Sequence, residues 1–213
     1  MCRYGDEKGA SEMIFSYGFL ERDVVDARQL FLDLDIPDDD PLKSAKKAVC
    51  DAAPGFRLFT PLYSTSIDWE SPFIWWCCIN EEDGLEFRVL QLNDGGRELK
   101  AAWKGNDIES SEQLLDMLKK DSLWHVFLLR AVVTLQDRVT SQLAQLQASE
   151  EYVRELCGRA GYPVIRASVR DIAIKLRDLE ADFLGKGFRD LEAMVRITRR
   201  ILQLLKEESP PFV

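Results

Sequence analysis

A mainly α fold with a small antiparallel β-sheet insertion, an α+β chain whose C-terminal part is a helical bundle, is what the sequence predicts. Apolar residues recur at spacings of three and four from residue 110 onward. Residues 56 to 104 break that rhythm, being rich in aromatic and β-branched residues and punctuated by Asp83-Gly84 and Asn93-Asp94-Gly95-Gly96. The whole is 213 residues long, 46% hydrophobic and 31% charged, enough to bury a core in one or two domains.

The elements follow in order. In "RQLFLDLDIP" Leu30, Leu32 and Leu34 alternate with Phe31, Asp33 and Asp35, as a strand with one polar face requires. Asp40-Pro41 reads as an N-cap with proline at the first helical position, and Leu42, Ala45, Val49 and Ala52 give a short amphipathic helix that Pro54-Gly55 stops. The acidic run of Asp33, Asp35, Asp38, Asp39 and Asp40 lacks the glycine and terminal glutamate of a calcium loop, so it reads as a solvated turn and cap. "FRLFTPLY", "PFIWWCCIN", "LEFRVLQL" and "RELKAAWK" then read as strands of one sheet joined by hairpins. The Trp75-Trp76-Cys77-Cys78 run does not alternate, which predicts a strand covered on both sides.

Beyond the sheet, Ser110 and Gln113 form a capping-box pattern ahead of Leu114, Leu115, Met117 and Leu118. A long helix starting at Ser122 is apolar on most of its circumference and predicts the centre of a bundle. A further helix is expected from Glu150 to Leu156, ended by Gly158, Gly161 and Pro163. The last helical stretch, 164 to 206, carries Gly185 and Gly187, where a kink or break is expected. The closing "ESPPFV" is expected to fray.

Composition excludes several functions. A net charge of -9 opposes non-specific binding to nucleic acid, whose affinity comes from clustered Lys and Arg. Five cysteines (Cys2, Cys50, Cys77, Cys78, Cys157), odd in number and without CxxC spacing, support neither a disulfide framework nor a zinc site; no metal is expected. No signal peptide or membrane span is evident, which predicts an intracellular protein of the cytoplasm or nucleus. The sole histidine, His125, has no Ser or Cys partner in a nucleophile motif and reads as a structural or simply exposed imidazole.

One segment carries chemistry. "YGDEKGASEMIFSYGF" holds two Tyr-Gly pairs thirteen residues apart. It resembles the closing motif of SET-domain protein-lysine methyltransferases, specifically the class typified by the Rubisco large-subunit methyltransferase. There a tyrosine strand-end is followed by a "KSNAEL"-like helix and a "YGF" turn. Lys8, Glu12 and Met13 fit that helix, Tyr4 and Tyr17 have the spacing, and Gly18 and Phe19 complete the turn, while Ala10 and Ser11 stand where the family has asparagine and alanine. The helix Leu123 to Arg138, "LWHVFLLRAVVTLQDR", and the aromatic β insertion before it look similar to fungal members of the class.

The resemblance implies that residues 1–40 are the incomplete tail of a SET domain. Residues 41–213 would be the substrate-binding domain, with its β insertion at 56–104 and helices at 110–206. Methyl transfer to an amine is an in-line displacement that needs an uncharged lysine nitrogen and alignment at roughly 3 to 3.5 Å, with little acid-base apparatus. By the resemblance Tyr4 orients the reacting nitrogen through its hydroxyl, Tyr17 lines the lysine channel, and Phe19 lies near the cofactor, S-adenosylmethionine. The partner is a lysine-containing protein substrate.

In that family an Asn-His segment that grips the cofactor comes before the first tyrosine, and here only Met1, Cys2 and Arg3 precede Tyr4. The chain is therefore expected to be the C-terminal portion of such an enzyme, inactive alone. Met13, Ile14, Phe15 and Phe19 are expected to be partly exposed or folded onto the helical domain. The other reading is a non-catalytic helical protein-interaction module, which requires nothing beyond these residues; its oligomeric state is left open.

Overall fold

The computed structural model describes residues 8–20, 24–91, 93, 95–157 and 166–208, with the backbone alone for 152–157 and 208. The chain is mainly helical with two small sheets. Helices α1 (Ala10–Tyr17), α2 (Lys43–Val49), α3 (Ile74–Cys78), α4 (Ser111–Lys120), α5 (Trp124–Cys157) and α6 (Ala167–Glu208) alternate with strands β1 (Gln29–Asp33), β2 (Gly55–Phe59), β3 (Asp68–Glu70), β4 (Leu85–Gln91), β5 (Arg97–Trp103) and β6 (Asn106–Ile108). One sheet has the order β1-β2-β3 and the other β4-β5-β6. Two compact units divide the chain: Met1–Phe31, Arg57–Trp69 and Leu135–Ala193 form the first, and Leu32–Phe56, Glu70–Thr134 and Met194–Val213 the second.

β1 forms where the alternation predicts it. Leu30, Leu32 and Leu34 are buried while Phe31 faces solvent. α2 starts later than the sequence suggests. The Asp40 carboxylate accepts the Leu42 N–H at 2.8 Å, so Asp40-Pro41 makes a turn and the helix begins at Lys43 rather than at the proline. Its buried residue is Lys46 rather than the expected apolar face, because the ammonium is bonded to the Asp40 carboxylate and to the Ile79 carbonyl at 2.6 Å. Asp35, outside that pair, is held down at about 2 by Lys47 and then Lys43.

The "PFIWWCCIN" segment is not a strand. Residues Ile74–Cys78 form α3, and Ile74, Trp75, Trp76 and Cys78 are all buried. A short apolar run is ambiguous by periodicity, and the residues before it decide. The Ser71 hydroxyl accepts the Ile74 N–H at 3.0 Å and donates to the Gly55 carbonyl at 2.7 Å, capping the turn and tying it to β2. Asp83-Gly84 accordingly turns α3 into β4 rather than joining two strands, with Asn80 and Asp83 exchanging backbone and side-chain bonds at 3.0 and 3.2 Å. The predicted single sheet is thus two.

β4 and β5 do pair as an antiparallel hairpin, in register from Leu85↔Trp103 to Gln91↔Arg97. A further hairpin, β5–β6, was not expected. Lys104 and Gly105 have φ of 47° and 83°, the two left-handed positions of a type I′ turn, and set Trp103 opposite Asn106. At the β5 end Ala101, Ala102 and Trp103 are all buried, so this half of the strand is covered on both faces. The Trp103 ring meets Phe127 of α5 edge-on at 5.6 Å.

α4 follows its capping pattern in part. The Ser110 hydroxyl accepts the Gln113 N–H at 3.2 Å, but the Gln113 side chain takes the Glu109 N–H instead of returning to Ser110. Leu114 and Leu118 are fully buried. α5 starts at Trp124 rather than Ser122, with the Asp121 carboxylate accepting the Leu123 N–H at 2.9 Å. It runs unbroken to Cys157, so the expected separate helix at 150–156 is its last part; residues 122–157 contain no glycine or proline to stop it. The Gly158–Pro163 stop signals lie outside the described residues, as does "SPPFV".

α6 is likewise one helix of 42 residues, unbroken at Gly185 and Gly187. A Cβ added at Gly187 would meet Leu58 Cδ1 at 3.4 Å and Ile67 Cγ2 at 3.6 Å, so this glycine lets α6 approach the β2 side of its unit closely. Asp190 on the same helix accepts the Ile67 N–H at 2.7 Å. Phe183, Leu184 and Leu191 are buried on that side. No helix of the described residues is long and apolar enough to cross a membrane.

Candidate functional site

The tyrosine-bearing segment folds as a helix closed by a left-handed turn. α1 begins after Gly9, which is extended, and ends at Gly18 with φ 74°, whose N–H reaches the Ile14 carbonyl at 2.8 Å. Positive φ at Gly18 is why glycine stands between Tyr17 and Phe19. The reversal places their rings at a centroid distance of 6.2 Å, inclined by 43°. Both rings are reachable by solvent, Tyr17 at 42% and Phe19 at 39%.

α1 is anchored at its start. The Glu12 carboxylate accepts the Gly9 N–H at 2.9 Å and the Gln29 side-chain amide at 2.7 Å. Those two bonds, the backbone one foremost, lower the Glu12 pKa. The Ala10 N–H reaches the Ala27 carbonyl at 3.2 Å. Ala10 and Met13 are buried beneath the helix, while Phe15 is 94% exposed. Of the four apolar residues expected to be partly exposed or folded onto the helical domain, Phe15 and Phe19 are exposed, Ile14 is half-buried and Met13 is buried.

Gly9 is held by contact rather than by torsion. A Cβ there would stand 2.5 Å from the Gln29 carbonyl oxygen, a backbone atom that cannot swing away. Gly9→Ala is expected to destabilise the first unit by about 1–3 kcal/mol. Urea denaturation checks this, and an unchanged midpoint would show that α1 is not fixed to β1 in this way.

The electrostatics suit a cation. The Lys8 ammonium lies 5.0 Å from the Tyr17 ring centroid and 3.5 Å from the Ser16 hydroxyl. The face of this phenol thus already holds an alkylammonium of the kind a lysine channel takes. Of the sequence-predicted residues, the structure brings Tyr17 and Phe19 together; Tyr4 lies outside the described residues. Sequence reasoning missed Gln29, and no local signal marks it, because its role depends on β1 lying beside the Glu12 face of α1.

Other reactive side chains are occupied or insulated. Cys50, Cys77 and Cys78 are free thiols, and burial pushes Cys77 up to about 12 and raises Cys78 as well, which removes thiolate character. His125 is half-buried on α5, its buried Nδ1 without a hydrogen-bond partner. Among the described residues no group of three or more His, Cys, Asp or Glu is placed to hold a metal ion. In the second unit a groove of about 480 Å³ runs past Pro37, Pro41, Ile79 and Val133. At its edge Arg130 bonds to the Cys78 carbonyl at 2.9 Å and to the Asp83 carboxylate at 2.6 Å.

No family model and no solved structure matches the chain. Among curated proteins it is similar to the SET domain-containing protein 8 of Schizosaccharomyces pombe, with 30% identity over 125 residues. That stretch is 57% of this chain and 29% of the yeast protein, so the match spans under a third of its relative's length. The similarity supports kinship with SET-domain proteins and goes no further.

Proposed function

We propose that these residues are the C-terminal portion of an S-adenosylmethionine-dependent protein-lysine N-methyltransferase of the fungal, Rubisco large-subunit methyltransferase-like class. In it they supply the last active-site tyrosines, Tyr4 and Tyr17, and a substrate-binding domain over residues 41–213. The observation that carries this reading is the α1–Gly18–Phe19 turn, which pairs two reachable aromatic rings and holds an ammonium against one of them. Similarity to a SET domain-containing protein supports it independently.

S-adenosylmethionine, when bound, supplies the activated methyl group. The residues here fit a part of its site: Phe19 offers an apolar ring face, and Tyr17 a ring face with the Lys8 ammonium 5.0 Å from its centroid. Tyr17 confines the lysine stem and fixes the direction of the amine, which is positioning rather than proton transfer. The protein substrate is recognised in the cytoplasm or nucleus, and the 213 residues alone do not turn over.

The test is a chimera in which this chain replaces the matched stretch of the yeast protein. Tyr17→Phe and Tyr17→Ala should then separate: the phenylalanine keeps the ring face and most lysine methylation, and the alanine loses at least about tenfold, near 1.4 kcal/mol. Equal methylation by both variants would count against the reading. A non-catalytic interaction module is the second reading, favoured by Phe15 at 94% exposure. It predicts that neither variant changes methylation.

A further inference from the structure

Lys8 stands two residues ahead of α1, yet its ammonium reaches the last turn of that helix, 3.5 Å from the Ser16 hydroxyl and 5.0 Å from the Tyr17 ring centroid. Helical side chains lean toward the N-terminus, so the Tyr17 ring comes back along α1 to meet the lysine stem. The cation on this ring is therefore supplied by the chain itself.

Among the described residues the partners of Lys8 are a hydroxyl and a ring rather than a carboxylate. The Glu12 carboxylate is engaged by the Gly9 N–H and the Gln29 amide instead. A cation–π contact that solvent reaches is weak and reversible, unlike a buried ion pair. It is nevertheless an occupancy. A ring that carries one ammonium disfavours a second beside it, because the two charges repel.

We propose that Lys8 is an autoinhibitory occupant of the lysine side of the pocket, which an acceptor lysine must displace from the Tyr17 ring before methyl transfer. This rests on the reading of Tyr17 as a channel residue. A site whose competent state is only a fraction of the population binds more weakly by that fraction. An exposed contact of this strength keeps Lys8 on the ring most of the time, so removing it should strengthen acceptor binding about three- to sixfold.

In the 213-residue chain, proton NMR should find the ε-methylene signals of Lys8 upfield of those of the other lysines, as a ring current requires, and Tyr17→Ala should return them to the common position. Lys8 signals that never left that position would overturn the proposal, whatever the chimera does. In the chimera with the yeast protein, soluble protein of a Schizosaccharomyces pombe extract serves as the acceptor. Lys8→Met should lower the acceptor concentration at half-maximal rate about three- to sixfold, and Lys8→Arg, which keeps a cation on the ring, should not. An unchanged or raised half-saturation in Lys8→Met, while Tyr17→Ala still loses methylation, overturns the competition and leaves the methyltransferase reading standing. A pH–rate profile moved to higher pH at unchanged half-saturation also overturns it, assigning Lys8 to keeping the acceptor nitrogen uncharged. A chimera that does not methylate, or is indifferent to Tyr17→Ala, counts against the reading itself, and the competition falls with it.

Discussion

Lys46→Ala is expected to cost the second unit about 3–5 kcal/mol, among the largest effects of any single substitution here. The side chain is fully buried, and its ammonium satisfies both the Asp40 carboxylate and the Ile79 carbonyl. Alanine leaves a largely buried carboxylate without its counter-charge and a carbonyl without its donor. Asp40 also holds the Leu42 N–H, so the turn into α2 should loosen with it. Replacing both partners, Lys46→Met with Asp40→Leu, should be milder than the single change, because no orphan charge remains. Chemical denaturation of the three variants decides this, and a single-variant loss below about 1 kcal/mol would mean that water reaches the pair.

Trp76→Ala is expected to cost about 3–5 kcal/mol for a different reason, the void left by a side chain exposed by only 1%. Its indole N–H donates to the Ser111 hydroxyl at 2.9 Å, and that hydroxyl donates to the Asp51 carboxylate. The bond from Ser111 lowers the Asp51 pKa. Trp76→Phe separates the two contributions: most of the volume stays, the hydrogen bond goes, and the loss should fall to about 1–2 kcal/mol. Equal losses in both variants would assign the effect to the polar chain rather than to packing.

These two residues also mark where the sequence was legible and where it was not. β1 could be read because alternation is a local property, and Leu30, Leu32 and Leu34 are buried as it requires. The turn of the tyrosine segment could be read because only glycine takes the Gly18 conformation at no cost, and a motif fixes its neighbours. α3 could not be read from its own residues: "IWWCC" suits a buried strand equally, and Ser71 decides by reaching Gly55, sixteen positions earlier. A lysine facing the core escaped for the same reason, since its partner Ile79 is remote in sequence. At Gly187 the expected interruption did not occur, because the missing side chain serves close approach to Leu58 and Ile67 rather than a change of backbone direction. Tertiary contacts overrode local propensity at each of these points.

The account rests on Tyr17 and Phe19 being one side of a methyl-transfer pocket that these residues do not enclose. Both rings are about two-fifths exposed. Titration calorimetry of S-adenosylmethionine into the 213-residue chain addresses this most directly. No heat beyond dilution is the predicted result; saturable binding with a micromolar dissociation constant, abolished by Phe19→Ala, would contradict it.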